Sequence, residues 1–180
     1  MNIINILKEK GLIEKMYLAA ISCYSFLFCF QSSKLIVLPD ILSALLYFSS
    51  FSLAFPKVIF SKYSRKDYYL IAFLYIFTFL FIILTGKEML IILPTLLVGT
   101  KNIDLNKCAK IVFYICTFFV LLHSFVYIAE SLCSGMRISD IFTFMRTENR
   151  STVLCADFNI FAARSVYAMI SYLYFTNREN

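Results

Sequence analysis

The sequence predicts an all-α membrane protein with about six transmembrane helices. Apolar residues make up 61% of the 180-residue chain, whereas soluble domains contain about 45–50%. Most apolar residues lie in runs of about 15–21 residues, and about 20 helical residues cross a bilayer core. Lys and Arg lie between the runs, as is typical of membrane borders. Because the runs are continuously apolar rather than alternating, helices are favoured over barrel strands.

The predicted transmembrane helices lie at about residues 16–33, 35–55, 68–84, 88–100, 111–128 and 158–175. The short fourth run reaches only about 20 Å as an α-helix, less than the hydrocarbon thickness. It either crosses with its flanking lysines extended to the interface, or enters the membrane and returns. The segment before the first run, residues 1–15, is either a surface-lying helix or a solvated tail.

The distribution of basic residues predicts the orientation. If all six runs cross, alternate connecting segments carry 11 and 5 of the 17 Lys and Arg residues, with Arg164 inside the last run. Positively charged segments favour the cytoplasmic side. Both termini are therefore expected in the cytoplasm, with residues 129–157 forming a loop on the outer face. This pattern favours a crossing by residues 88–100.

Composition argues against several classes of function. The formal charge of +6 comes from residues flanking the apolar runs, so it does not indicate nucleic-acid binding. The sequence contains no Gly-rich phosphate loop, no HExxH and no CxxC, and we therefore expect no metal and no cofactor. Cys133 and Cys155 share the outer loop, where they either pair or remain free thiols.

Three ionisable residues lie within the apolar runs: Asp40, His123 and Arg164. Such residues are costly in a membrane and suggest a functional site. With the predicted topology, all three lie about 7–9 Å below the outer surface. Each also has a structural interpretation: Asp40 would cap a helix that starts after Pro39, His123 would bond a neighbouring helix, and Arg164 would extend to the interface.

The outer loop contains three further arginines, Arg137, Arg146 and Arg150. The last two are four residues apart and would share one face of a helix. With Arg164 they would surround an anionic group, which the planar guanidinium suits. Because the loop also contains four acidic residues, an ordinary charged loop is the alternative.

Two stretches resemble motifs of the bacterial O-antigen and capsular polysaccharide polymerases, a family grouped with the O-antigen ligases. Residues 97–105 read LVGTKNIDL after a short apolar run, and residues 150–152 and 157–162 read RST and DFNIFA. The resemblance covers about residues 85–175 and corresponds to the N-terminal half of such proteins. The chain is therefore expected to be that half or a truncated form.

The resemblance implies an enzyme of the bacterial plasma membrane that joins oligosaccharides linked to undecaprenyl diphosphate, without nucleotide sugar or metal. Arg150 would contact the diphosphate or sugar, and Asn159 would hold the turn into the last helix. Histidine is the side chain whose ordinary pKa lies near neutrality, so His123 is the candidate general base. The arginines would stabilise the departing diphosphate. The expected partners are the lipid bilayer, the lipid-linked oligosaccharide and other membrane proteins of polysaccharide assembly.

Two other functions remain open. The family's Gly and Pro are replaced in residues 155–159, CADFN, which favours a non-catalytic membrane protein or a remnant. A lipid-linked sugar flippase or transporter would need polar groups along the full membrane thickness. Here they gather towards one face, which disfavours a transport path.

Overall fold

The computed structural model describes residues 10–31, 33, 38–86, 88–135 and 158–179, and the regular elements of these residues are all helices. The α-helices are α1 (Lys10–Gln31), α2 (Asp40–Phe60), α3 (Arg65–Thr85), α4 (Ile92–Gly99), α5 (Leu105–Cys133) and α6 (Phe158–Glu179). A 3-10 helix, Glu88–Ile91, precedes α4. The all-α class predicted from the sequence is confirmed.

Four of these helices, α1, α2, α3 and α5, are long and apolar enough to cross a membrane. Each has at least 20 residues in the crossing segment, which corresponds to about 30 Å of helix. The chain is therefore a membrane protein. Neither α4 nor α6 meets the same criteria within the described residues, so the count of six crossings stays a prediction.

Several helices extend beyond the predicted crossings, because a helix can continue past the hydrocarbon layer. Residues 10–15 belong to α1 rather than to a separate surface helix or tail, and residues 129–133 belong to α5 rather than to the outer loop. Helix α2 runs through Pro56 to Phe60. Residues 136–157 of that loop, which include Cys155, lie outside the described residues. Cys133 is an exposed free thiol.

The bounds of α3 follow from local sequence signals. Ser64 and Asp67 form a capping box: the Ser64 amide donates to Asp67 Oδ2 at 2.7 Å, and the Asp67 amide donates to Ser64 Oγ at 3.3 Å. These two hydrogen bonds give acceptors to two amides at the helix start that have no partner within the helix. At the other end Gly86 adopts φ 66° and donates to the Ile82 carbonyl at 2.7 Å, a left-handed C-cap that glycine adopts without strain.

By their contacts, the residues divide into a first unit, Met1–Tyr24 with Ala44–Cys108, and a second unit, Ser25–Ser43 with Ala109–Asn180. The core of the first unit consists of Tyr17, Ala20, Ala54, Ile103 and Cys108. Ser50 donates a hydrogen bond to the Ala20 carbonyl at 2.7 Å. Since bilayer lipid is as apolar as the side chains, close approach of small residues and such hydrogen bonds hold these helices together.

Within the first unit, the chain after α3 returns to the level at which α3 begins. Tyr75, midway along α3, bonds the Thr95 hydroxyl at 2.9 Å, and the Lys101 ammonium pairs with the Asp67 carboxylate in the first turn of α3. The Lys101 ammonium also lies 5.0 Å from the centre of the Tyr63 ring. Residues 88–101 therefore run antiparallel along α3.

The core of the second unit is Cys29, Cys116, Phe119 and Ala168, with partly buried aromatic and aliphatic side chains around it. The Phe119 ring meets the Phe30 ring edge-to-face at 4.7 Å between centroids. Phe28 meets Tyr167 of α6 in the same way at 5.8 Å. These edge-to-face contacts position α1, α5 and α6 around the two most polar buried side chains of the described residues.

Candidate functional site

The buried polar centre of the second unit contains Arg164 and His123, both with no solvent-exposed surface. Arg164 lies on α6 and His123 on α5. The charge of Arg164 acts on His123 and on Cys116. The Cys116 and Cys29 side chains are free thiols joined by a hydrogen bond. Two of the three ionisable residues singled out in the sequence thus share one buried environment.

Arg164 binds the end of α1. Its Nη2 group donates a hydrogen bond to the Cys29 carbonyl. At this end the Ser33 amide donates to the Phe30 carbonyl at 2.9 Å, three residues back, instead of continuing the α-helical pattern to Cys29. The last carbonyls of a helix have no partner within the helix, and a cation there also interacts favourably with the helix dipole. The guanidinium therefore caps α1.

The hydrogen bonds of His123 determine which ring nitrogen carries a proton. Its Nδ1 lies 2.6 Å from the Phe119 carbonyl oxygen, and a carbonyl only accepts, so Nδ1 is the donor. In the neutral imidazole Nε2 then carries a lone pair. Ser33 Oγ lies 2.8 Å from Nε2, and in that state the hydroxyl donates to it.

The resulting arrangement is a hydroxyl bonded to an imidazole that a carbonyl orients. This is the geometry expected of a general base acting on a hydroxyl group. Ser33 is half-buried, whereas His123 is fully enclosed. The hydroxyl is consequently the more accessible member of the pair.

The structure does not bring Asp40 into this centre. It is the first residue of α2 and is exposed. Since proline disfavours the helix interior, α2 begins directly after Pro39, and the Leu42 and Ser43 amides donate to the Pro39 carbonyl at 2.9 and 3.0 Å. A carboxylate in the first helical turn interacts favourably with the helix dipole, which agrees with the helix-start interpretation. A role for Asp40 in binding substrate stays a prediction.

The other predicted site residues are only partly within the described residues. Arg137, Arg146 and Arg150 lie outside them. Asn159 lies in the first turn of α6, but its side chain lies outside the described part. Their predicted contacts with an anionic substrate are therefore not tested.

Sequence reasoning missed Ser33 and the Cys29 carbonyl. Ser33 is a common residue at the end of an apolar run and gave no signal of its own. A helix-end carbonyl was to be expected near Gln31, but its pairing with an arginine 135 positions later depends on tertiary packing. Among the described residues, no three His, Cys, Asp or Glu side chains form a set that would hold a metal ion.

Comparisons of the chain with protein-family models, with curated proteins and with solved structures gave no match.

Proposed function

We propose that the chain functions in a membrane polysaccharide polymerase that joins lipid-linked oligosaccharides during capsule, exopolysaccharide or O-antigen synthesis. The observation that carries the proposal is the buried centre in which Ser33, His123 and Arg164 combine a hydroxyl, a base and a cation. The motif resemblance at residues 97–105 and 150–162 supports the same function. The membrane is the bacterial plasma membrane, with both termini in the cytoplasm.

In the proposed reaction a hydroxyl of the acceptor sugar attacks the anomeric carbon of the donor oligosaccharide. The bond from that carbon to the diphosphate oxygen breaks, and the lipid diphosphate leaves with the electron pair. The acceptor proton passes to Ser33 Oγ while the Ser33 proton passes to His123 Nε2. Ser33 acts as a relay because it is more accessible than the imidazole, and the carbonyl of Phe119 holds the ring in the required tautomer.

Positive charge stabilises the departing diphosphate. Arg164 supplies it from within the helices, where few water molecules screen the charge. Arg150, outside the described residues, would contact the diphosphate directly. Arg164 also holds the end of α1, four residues before Ser33, and so positions the relay.

A non-catalytic protein is the second candidate, and one observation favours it. Arg164 donates to the Cys29 carbonyl at the end of α1, a group that would be costly to leave without a partner in lipid. His123 donates to the Phe119 carbonyl, which satisfies the ring N–H of His123 itself. A purely structural role predicts loss of folding, not of chemistry, when either is replaced.

The test uses His123→Gln and Arg164→Gln in the bacterial host, with Lys66→Gln, an exposed cation in the first turn of α3, as the control. Surface polysaccharide length and the amount of protein in the membrane fraction are measured together. We expect His123→Gln to reduce polymerisation about a hundredfold at an unchanged protein level, and the control to leave both unchanged. Normal polymer length in both site variants would exclude the catalytic proposal. Loss of the protein itself from the membrane would support the structural candidate.

A further inference from the structure

Two thiols meet inside the second unit. Cys29 lies near the end of α1 and Cys116 in the first half of α5. Their side chains are reduced and joined by a hydrogen bond. Two sulfur atoms at hydrogen-bond distance on different helices are the starting arrangement for a disulfide, and the reaction proposed above uses neither thiol.

Aromatic contacts hold this part of α1 against α5. The Phe119 ring, three residues after Cys116, meets the rings of Phe26 and Phe30 edge-to-face at 6.0 and 4.7 Å between centroids. These two rings lie on either side of Cys29 in the sequence. Because the helices are fixed at this level, rotation of the two thiols with a small shift of the helices is enough to approach the S–S bond length of about 2.05 Å.

The surroundings of the two sulfur atoms are apolar. Cys29 has no exposed surface and Cys116 is 2% exposed, and together with Phe119 and Ala168 they form the core of this unit. An oxidant therefore reaches the pair only when the helices part locally. In a bilayer the oxidant present at that moment is one dissolved in lipid, and membrane quinones accept electrons from protein thiols.

We infer that Cys29 and Cys116 form a redox-sensitive pair, which a lipid-soluble quinone converts to a disulfide that ties the end of α1 to α5. In this step both S–H bonds break and one S–S bond forms. The two protons and two electrons pass to the quinone, which becomes a quinol. The inference does not depend on the polymerase proposal.

The disulfide would act at the end of α1 that Arg164 holds through the Cys29 carbonyl. It would also link residues that are far apart in the chain. Such a link restricts the unfolded state, so the oxidised protein should unfold at a higher temperature than the reduced protein.

The test uses the full-length protein purified in a neutral detergent, in the background Cys133→Ser/Cys155→Ser. This background lacks the exposed thiol at the end of α5 and the thiol outside the described residues. The oxidants are tetramethylbenzoquinone, which partitions into the micelle and has no free ring position for addition of a thiol, and glutathione disulfide, which stays in water. After the remaining thiols are alkylated, mass spectrometry of the peptides identifies any cross-link.

The site variants are Cys29→Ser and Cys116→Ser, with the corresponding alanine variants as a second pair without a new hydroxyl. The matched controls are Cys23→Ser and Cys108→Ser, which remove thiols of the first unit. The cross-link is measured first in the background that retains all four of these thiols, so the result does not depend on the folding of a site variant.

We expect the quinone to convert about half or more of the chains to the Cys29–Cys116 disulfide, and glutathione disulfide to do so about tenfold more slowly. Dithiothreitol should restore both thiols. Oxidation should raise the thermal midpoint by about 5 °C or more in the background and in both controls, and should leave it unchanged in the site variants.

Three outcomes would overturn the inference. In the first, both thiols remain open to alkylation in the denatured protein after quinone treatment. In the second, the cross-link joins Cys29 or Cys116 to a different cysteine. In the third, the two oxidants act at equal rates, which would exclude the route through the lipid.

Discussion

The two units bury polar groups of different kinds. In the first unit the buried polar side chains of the described residues, Ser50 and Thr95, are neutral hydroxyls. Each donates to a carbonyl, that of Ala20 at 2.7 Å for Ser50 and that of Ile91 at 3.1 Å for Thr95. The second unit also buries two serines, Ser25 and Ser131, and in addition a guanidinium and an imidazole. Both units pack apolar helices, so packing alone does not require the guanidinium and the imidazole.

The buried polar groups of the two units differ in what they cost in lipid. A neutral hydroxyl that bonds a carbonyl costs little in lipid, and such bonds contribute about 0.6 kcal/mol on average. A buried cation costs several times more on any insertion scale. Of the buried polar side chains that the structure describes, those of the first unit are hydroxyls alone, whereas the second unit accepts the higher cost of a buried cation, Arg164, at the end of α1. Under the proposed function, the reaction would therefore take place in the second unit, and the first unit would contribute stability.

Replacing Ser33 gives the largest expected effect and tests the second unit. Ser33→Ala removes the hydroxyl next to His123 Nε2, so polymerisation should fall about a hundredfold, equivalent to about 2.7 kcal/mol in activation free energy. The thermal midpoint in detergent should change little. Surface polysaccharide length is the measurement, and Ser52→Ala, at an exposed position on α2, is the control. Full polymer length in Ser33→Ala would contradict the relay.

A substitution at Gly99 tests the first unit by its packing. A Cβ atom added there would collide with the Tyr17 ring, which is fully buried. Overpacking of this kind costs about 1–3 kcal/mol, so Gly99→Ala should lower the thermal midpoint clearly. Gly11→Ala is the matched control, because nothing lies within 4 Å of its added Cβ. An unchanged midpoint in Gly99→Ala would show that this contact does not limit stability.

Removing one hydroxyl from the first unit should have a smaller effect. The Tyr17 hydroxyl donates to the Leu96 carbonyl at 2.5 Å. Tyr17→Phe should therefore lower the free energy of unfolding by about 1 kcal/mol. Polymer length, compared at equal amounts of protein in the membrane, should not change. Chemical denaturation in detergent measures the change. Tyr69→Phe, at an exposed side chain on α3, should leave it unaltered, and an equal loss in both variants would contradict the assignment.

The smallest effect is expected at the Lys101–Asp67 ion pair, since both side chains are about one-third exposed and exposed pairs contribute little. Lys101→Gln should lower the thermal midpoint less than Tyr17→Phe. Because salt screens exposed charges, the difference from the native protein should shrink at high ionic strength. A difference that is independent of salt would show that Lys101 acts through its contact with Tyr63.

The helices were predictable because their signals are local. Continuous apolar runs determine α1, α2, α3 and α5, and the turn between α3 and the 3-10 helix is marked by Gly86. The exact ends of the helices were less predictable. At residues 129–133, for example, the helix continues beyond the apolar run, because polar residues can also adopt helical conformation outside the hydrocarbon layer.

The site was predictable only in part. Arg164 and His123 stand out against apolar neighbours, so composition alone identified them. Asp40 stands out equally, yet Pro39 places it at an exposed helix start. Ser33 does not stand out from its neighbours, which are also polar. Its place in the site depends on a hydrogen bond to a residue 90 positions away, which the sequence does not reveal.

The antiparallel return of residues 88–101 along α3 restricts the membrane topology of this part of the chain. The residues just before α3 and those just after Lys101 must emerge on one and the same side, wherever the intervening chain reaches its greatest depth. A pair of reporters at positions 62 and 104 would thus give concordant signals. Any orientation scheme for this protein that separates those two positions by the lipid layer is incompatible with the pairing of Asp67 and Lys101.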